Sequence, residues 1–265
     1  MSSKLDKVIV VKLGGATLGS HDTTIEDMVE LQQQGRALVV VHGGGKLITE
    51  WLNKQGISSR FVQGERVTDK ATLDVAISVL AGLVNKEIVA AINSLGGKAV
   101  GISGVDGALI QGEVKNKELG YVGRVAKVNL ALLEDMLRAG YIPVVAPLGL
   151  YSGSKGGKAP QILNINADVV AGEVAAAMGA ERLIFLTDVA GVCDQQGRLL
   201  SQLPAGEVAD LVTSGIASGG MIPKIKACLK ALSNTSTTCI IDGRQPHSLF
   251  KNIEEGSGGT TIKGG

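Results

Sequence analysis

Apolar positions along the chain follow two rhythms. Short unbroken runs rich in Val and Ile occupy Lys7–Leu13, Ala37–His42, Ala99–Ser103, Ile142–Ala146, Leu183–Thr187 and Thr238–Ile241. Runs of this length without polar alternation predict strands covered on both faces. Between them apolar residues recur at helical spacing, which predicts helices over Thr23–Gln34, Leu47–Gln55, Lys70–Leu95, Leu130–Ala139, Ala167–Met178, Ala205–Ser214 and Ile222–Ser233. Asp22 is the expected N-cap of the first helix, with Glu26 in its opening turn. The alternation predicts the α/β class, as a three-layer αβα sandwich around a mostly parallel central sheet.

Two stretches break this alternation. Gly107–Asn129 carries Gly112, Gly120 and Gly123 among short β-prone runs and is expected to form hairpins. Leu148–Gln161 is polar and rich in Gly and Ser, and is expected to be a mobile loop. A boundary at Met178–Gly179 divides the chain into an N-terminal lobe, 1–178, and a C-terminal lobe, 179–265.

Composition narrows the function. Basic residues number 26 and acidic residues 25, and this balance leaves no electrostatic footprint for nucleic acid or an anionic membrane. Aromatic residues are 3% of the chain, too few for a carbohydrate cleft or a base-stacking platform. No apolar run approaches the ~20 residues of a membrane span. The N-terminal MSSKLDKVIVVKLGG does not have the build of a secretory leader, because its apolar stretch is short and broken by Lys12. Cys193, Cys228 and Cys239 are odd in number and lack metal spacing, so buried, reduced thiols in a cytoplasmic protein are expected. His21, His42 and His247 are too scattered for a metal site.

The phosphate loop G-x-x-x-x-G-K-[ST], the dinucleotide pattern G-x-G-x-x-G, H-E-x-x-H and G-x-S-x-G are all absent. Three glycine clusters remain, all beside predicted strand ends or helix starts. Gly14-Gly15 follows the first strand, and Gly43-Gly44-Gly45 follows the second. In open α/β sheets ligands bind at the carboxyl ends of strands, where glycines let backbone N–H groups approach an anion. Two such loops suit one phosphoryl group held between them; the plainer alternative is a pair of tight strand-to-helix turns. Lys12 ends an apolar strand, where a lysine either snorkels to water or supplies a fixed cation for developing negative charge. The third cluster, Ser218-Gly219-Gly220-Met221-Ile222-Pro223-Lys224, opens a helix with Pro223 in its first turn. Lys224 lies near that helix N-terminus, a mildly unfavourable place for a cation unless an anion is shared there. Asp168 either favours the first turn of its helix or pairs with two lysines. Arg66 suits a bidentate contact to a substrate carboxylate and precedes a helix capped by Thr68 or Asp69.

In their order and spacing VVKLGG, VVVHGGG (39–45), GERVTD (64–69), GISGVDG (101–107), LNINAD (163–168), LTDVAGV (186–192), GGMIPK (219–224), IIDGR (240–244) and GTTI (259–262) resemble the amino acid kinase family nearly end to end. The resemblance is strongest to its branch that phosphorylates the side-chain carboxylate of N-acetyl-L-glutamate in arginine biosynthesis. It implies an N-terminal lobe that binds the acyl amino acid and a C-terminal lobe that binds ATP, delivered with Mg2+ as its substrate complex. It implies that Lys12 and Lys224 stabilise the transferring phosphoryl group, that Asp168 positions both lysines, and that the backbone of Gly14, Gly15, Gly44 and Gly45 lines the phosphate path. Gly44, Gly45, Arg66 and Asn164 would bind the acyl amino acid. Thr187, Asp188, Gly191, Val192, Ser218 and Met221 would surround the nucleotide.

Glu65 stands where the family usually has leucine, and Arg124 where an acidic residue is common. The loop before Asn164 is long and carries Lys155, Lys158 and Pro160. These departures keep two alternatives open: a sibling kinase with another acceptor such as carrier-linked aminoadipate, or a non-catalytic amino-acid or nucleotide sensor. The resemblance also implies a homodimer. Arginine-inhibited hexameric members carry an N-terminal helix that six residues, ~9 Å if helical, do not accommodate, so little arginine inhibition is expected. A nitrogen-signalling trimer binds some members, and these residues do not decide whether it binds here.

Overall fold

A computed structural model of the chain describes residues 7–14, 23–153, 161–213 and 219–264. The first half runs β1 (Val8–Leu13), α1 (Thr24–Gln33), β2 (Ala37–His42), α2 (Gly45–Lys54), β3 (Phe61–Val62), β4 (Glu65–Arg66), α3 (Lys70–Ile77), α4 (Asn85–Ser94), β5 (Ala99–Ser103), β6 (Ile110–Val114) and β7 (Gly123–Val128). There follow α5 (Ala131–Arg138), β8 (Ile142–Ala146), β9 (Leu148–Tyr151), β10 (Ile162–Asn164), α6 (Ala167–Met178), β11 (Arg182–Thr187), β12 (Gln202–Pro204), α7 (Ala205–Thr213), α8 (Met221–Ala231), β13 (Thr237–Asp242), α9 (Ser248–Glu254) and β14 (Thr260–Lys263).

Eight strands form one sheet in the order β12-β14-β13-β11-β1-β2-β8-β5. All neighbours are parallel except β13 and β14. The expected three layers are present. β1 is buried along its whole length, and its alternate residues feed two cores. Val8 and Val10 face α5, α6 and α8, while Ile9, Val11 and Leu13 face α1, α2, α4 and α9. Burying each such side chain stabilises the fold by ~1.5–3 kcal/mol. Because side chains alternate along a strand, Lys12 belongs to the Val8–Val10 set and points toward α6 and α8.

The sheet runs unbroken across the boundary expected at Met178–Gly179, with β1 paired to β11. β1 has β2 on one side and β11 on the other, so strand order reverses beside it. Such a switch point leaves a crevice at the carboxyl ends of the strands.

Four expectations need correction. Leu148–Tyr151 is a strand, paired antiparallel with β10 and parallel with β6. Its four residues with Gly149 imitate loop composition, and only pairing within the four-stranded sheet β10-β9-β6-β7 makes it a strand. The segment expected as one helix, Lys70–Leu95, is helical over Lys70–Ser94 and interrupted by a π turn, Ser78–Val84, between α3 and α4. This 25-residue helical stretch is long and apolar enough to match a membrane span, contrary to expectation. Its apolar face nevertheless lies in the core, with Ala76, Val79, Leu80, Ile88 and Ile92 buried. Cys193 is half-buried, unlike Cys228 and Cys239. β12, α9 and β14 escape sequence reading because they are short and their turn residues dilute the period. The hairpin expected within Gly107–Asn129 is the β6–β7 pair. Asp22, Lys155, Lys158 and Pro160 lie outside the described residues, and Thr23 occupies the cap position of α1 without a side-chain cap bond.

Candidate active site

The carboxyl ends of β1, β2 and β11 converge. Gly14 N–H donates to Leu186 O at 3.0 Å, and Gly43 N–H donates to Leu13 O at 3.2 Å. The first two glycine clusters are thus tied side by side across three strands. Gly44 packs closely on the π turn, since a Cβ there would lie 2.9 Å from Leu80 Cδ2 and 3.4 Å from Val84 Cγ2 and would displace the Leu80 side chain. Gly15 and Ser218 lie outside the described residues.

α6 begins next to these ends. Asn166 caps it, accepting from the N–H groups of Asp168 at 2.8 Å and Val169 at 3.2 Å. Asp168 is therefore free of capping duty and turns its carboxylate inward. Lys12 Nζ stands 2.8 Å from Asp168 Oδ1, and Lys224 Nζ stands 3.3 Å from Oδ2. The Lys12 contact is an ion pair outside hydrogen-bond angles, and Oδ1 has no hydrogen-bond partner among the described residues. Lys224 also donates to Gly220 O at 3.2 Å, in the first turn of α8. Lys12 and Asp168 are each 8% exposed. Two cations this close repel strongly in a desolvated place unless a carboxylate lies between them.

A cavity of about 210 Å³ opens beside the glycine loops, lined by Gly43, Gly44, Gly45, Ile48, Phe61, Glu65, Arg66, Val122, Pro147, Asn164 and neighbouring residues. Arg66 is held by donating to Ser59 Oγ at 2.6 Å, Thr49 Oγ1 at 2.7 Å and Gly45 O at 2.9 Å. Its guanidinium lies 4.7 Å from the Phe61 ring centroid, a cation–π arrangement. Burial lowers the Arg66 pKa from its usual value. Asn164 donates to Thr68 Oγ1 at 3.2 Å, and Thr68 donates in turn to Arg66 O at 2.9 Å. Thr68 is fully buried and joins the two residues expected to bind the acyl amino acid. Asp69, the cap of α3, accepts from Thr72 N–H at 2.8 Å, which lowers its pKa. Thr49, Ser59 and Thr68 escaped functional reading because no motif marks a hydroxyl that braces an arginine. Glu65 accepts from Lys115 Nζ at 2.5 Å, and Arg124 pairs with Glu113 across β6 and β7.

Residues expected around the nucleotide gather less tightly. Thr187 is buried at the end of β11 and exchanges hydrogen bonds with the Val189 backbone at 3.0 Å. Asp188 is exposed beside it. Gly191 is buried, and Val192 N–H donates to Thr260 Oγ1 at 2.8 Å. The Val192 side chain belongs to the core, and its carbonyl accepts from Leu200 N–H at 2.8 Å. Met221 opens α8, half-buried. A groove of about 430 Å³ nearby is lined by Ala190, Leu199, Ile241, Asp242, Lys251 and others, not by these five. The Arg244 fork closes on Asp242 at 2.8 Å, lowering the carboxyl pKa and raising that of the guanidinium. Among the described residues no cluster of three or more His, Cys, Asp or Glu is placed to hold a metal ion.

Two cations fixed on one carboxylate at the carboxyl ends of parallel strands, over glycine backbone, are equipment for phosphoryl transfer, and the protein is a kinase. The chain belongs to the amino acid kinase family, whose model matches residues 7–242. An acetylglutamate kinase of Dehalococcoides mccartyi is 48% identical over 264 residues, covering 100% of this chain and 97% of that one. An acetylglutamate kinase of Cereibacter sphaeroides is 47% identical over 259 residues, covering 96% and 87%. A crystal structure of N-acetylglutamate synthase from Neisseria gonorrhoeae, complexed with coenzyme A and N-acetyl-glutamate, superposes with a TM-score of 0.83 at 26% identity, covering 97% of this chain and 59% of that one.

Proposed function

We propose that the chain phosphorylates the side-chain carboxylate of N-acetyl-L-glutamate with ATP, giving an acyl phosphate and ADP in arginine biosynthesis. The observation that carries this reading is Asp168 standing between Lys12 and Lys224 beside the Arg66–Asn164 cavity. The near-full-length likeness to acetylglutamate kinases supports the choice of acceptor.

A carboxylate oxygen attacks the γ-phosphorus as the bond from phosphorus to the ADP oxygen breaks. The acceptor carboxylate is ionised at neutral pH because its pKa is ~4, so no general base is required. Lys12 and Lys224 neutralise charge that spreads over the equatorial oxygens, and the Gly44 and Gly45 N–H groups donate to them, those of Gly14 and Gly43 being spent on strand carbonyls. Asp168 keeps both amines in place at no cost in reorganisation during the transfer. Arg66 retains unspent N–H donors and grips the α-carboxylate, while Asn164, oriented by Thr68, completes the acceptor site. Magnesium arrives on the nucleotide phosphates and neutralises their charge.

Every residue lining the acceptor cavity comes from 1–178, which supports an acyl-amino-acid lobe there and a nucleotide lobe in 179–265. Thr187, Asp188, Gly191, Val192, Ser218 and Met221 contact the nucleotide in this reading. The protein is a homodimer in the cytoplasm; the family resemblance supports the dimer, and the free thiols support the reducing compartment. The test is hydroxylamine trapping of the acyl phosphate, with glutamate, aspartate, carbamate and aminoadipate derivatives run beside N-acetyl-L-glutamate. Signal with N-acetyl-L-glutamate alone is expected. Signal only with another acceptor moves the chain to a sibling reaction, and bound ATP with no turnover makes it a sensor.

A further inference from the structure

His42 and Asn85 lie outside the residues assigned so far, yet both are almost fully buried directly behind the Gly43–Gly45 loop. Asn85 Nδ2 faces three acceptors: His42 Nε2 at 3.2 Å, Ile102 O at 3.2 Å and Val144 O at 2.9 Å. Its Oδ1 accepts from Lys86 Nζ at 3.0 Å. Two carbonyls on one side of the amide and an ammonium on the other permit a single amide orientation. Its two N–H protons are shared among these three acceptors, and toward His42 Nε2 the amide nitrogen can act only as donor. The other ring nitrogen, Nδ1, lies 3.0 Å from Gly43 O, which only accepts. His42 must then carry its proton on Nδ1, and each partner demands the same tautomer. Burial pushes the ring pKa down to about 4, with Lys12 and Lys86 adding in the same direction.

The consequence falls on one peptide. The C=O of Gly43 and the N–H of Gly44 share a planar trans unit and point in opposite directions. Drawing Gly43 O toward the imidazole turns Gly44 N–H away from it. Gly44 is held from another side by Leu80 and Val84 of the π turn that ends at Asn85. Such turns occur often at functional sites. Gly101 makes room for the amide, since a Cβ there would lie 1.9 Å from Asn85 Oδ1. β5, β8, the π turn and α4 thus all shape the seat of one asparagine.

We propose that Asn85, acting through the Nδ1–H tautomer of His42, is a positioning residue that aims the Gly44 N–H at the transferring phosphoryl group. The inference rests on the kinase reading above. It adds two residues that touch neither substrate and act by fixing one peptide plane.

The first test reads the wild-type protein: long-range 1H–15N imidazole NMR, with His42→Asn serving only to assign the signal. A single tautomer with Nδ1 protonated and Nε2 bare is expected. An Nε2–H tautomer, or averaging between the two, overturns the relay. The second test is kinetic. Asn places an amide donor where Nδ1–H stood, so His42→Asn should keep kcat within roughly threefold, whereas His42→Leu should lose up to ~10²-fold, the scale of a small misplacement of a reacting group. Asn85→Leu should lower kcat while KM for ATP and for N-acetyl-L-glutamate stay within roughly threefold, the pattern of an interaction made only in the transition state. Equal rates for His42→Asn and His42→Leu, or unchanged kcat in Asn85→Leu, overturn it. If wild-type protein forms no acyl phosphate the kinase reading fails, and the tautomer still reports whether the relay exists.

Discussion

Lys12 Nζ and Asp168 Oδ1 meet at 2.8 Å, each on a side chain 8% exposed. One comes from the first strand and the other from α6, and the contact forms only because both point into the same layer. Breaking a buried pair by removing one partner is costly, ~3–5 kcal/mol, because the other charge is left uncompensated. Asp168→Asn is expected to strand two amines at once. Urea unfolding should show a loss of that order, and hydroxamate formation should fall by ~10²–10³-fold, the effect of losing one preorganised electrostatic group. Unchanged stability and turnover together would remove Asp168 from the site.

Lys224 is less enclosed, at 18% exposure. Lys224→Ala should therefore fold with little stability loss while kcat drops ~10²–10³-fold. Lys12→Ala should lose a similar factor in kcat. Near-wild-type turnover in a folded Lys224→Ala protein would exclude it from phosphoryl transfer.

Arg66 is braced by Thr49, Ser59 and the Gly45 carbonyl. Lysine cannot reproduce that fork. Arg66→Lys should raise KM for N-acetyl-L-glutamate ~10–100-fold, matching the ~1.5–3 kcal/mol of a charge-assisted hydrogen bond, and leave KM for ATP nearly unchanged. Steady-state kinetics with each substrate varied separates the two constants, and a matched rise in both would place Arg66 elsewhere.

Thr68→Val removes the hydroxyl between Asn164 and the Arg66 backbone at nearly constant shape. The Asn164 amide loses its orienting partner. An increase of ~3–10-fold in KM for the acceptor is expected, from one neutral hydrogen bond of ~1 kcal/mol, with Thr68→Ser close to wild type. Equal behaviour of the two variants would reduce Thr68 to a structural part.

His42 makes stability depend on pH. Its folded pKa of about 4 lies below the ordinary histidine value of 6.5, so between those values the unfolded chain binds a proton that the native chain refuses. Stability should fall as pH drops through this window, by about 3 kcal/mol across it. His42→Asn should lack that component. Urea midpoints at either end of the window, for both proteins, measure the difference; parallel slopes would contradict the assignment.

Much of this was legible in the residues. Ala37–His42, Ala99–Ser103, Ile142–Ala146 and Ala167–Met178 were predicted with the bounds they have, because unbroken apolar runs and an unbroken helical period leave few other solutions. Lys12 and Lys224 stood out because a cation at an apolar strand end or a helix start is locally unfavourable, whereas Asp168 suits its helix start and is singled out by the family resemblance. Leu148–Tyr151 was missed because Gly149 and the Gly- and Ser-rich residues after it read as loop, and one partner, β6, lies far off in the chain. The π turn was missed because one inserted residue barely disturbs a helical period.

The sequence by itself determined the class of fold and the residue types available for transfer. Those follow from local periods, which act between residues a few positions apart. Tertiary structure alone decided that one carboxylate would serve two lysines, that Thr49 and Ser59 would brace Arg66, and that Asn85 would choose the tautomer of His42. These are contacts between distant segments, and their direction depends on strand order and helix placement, which only closure of the whole sheet sets.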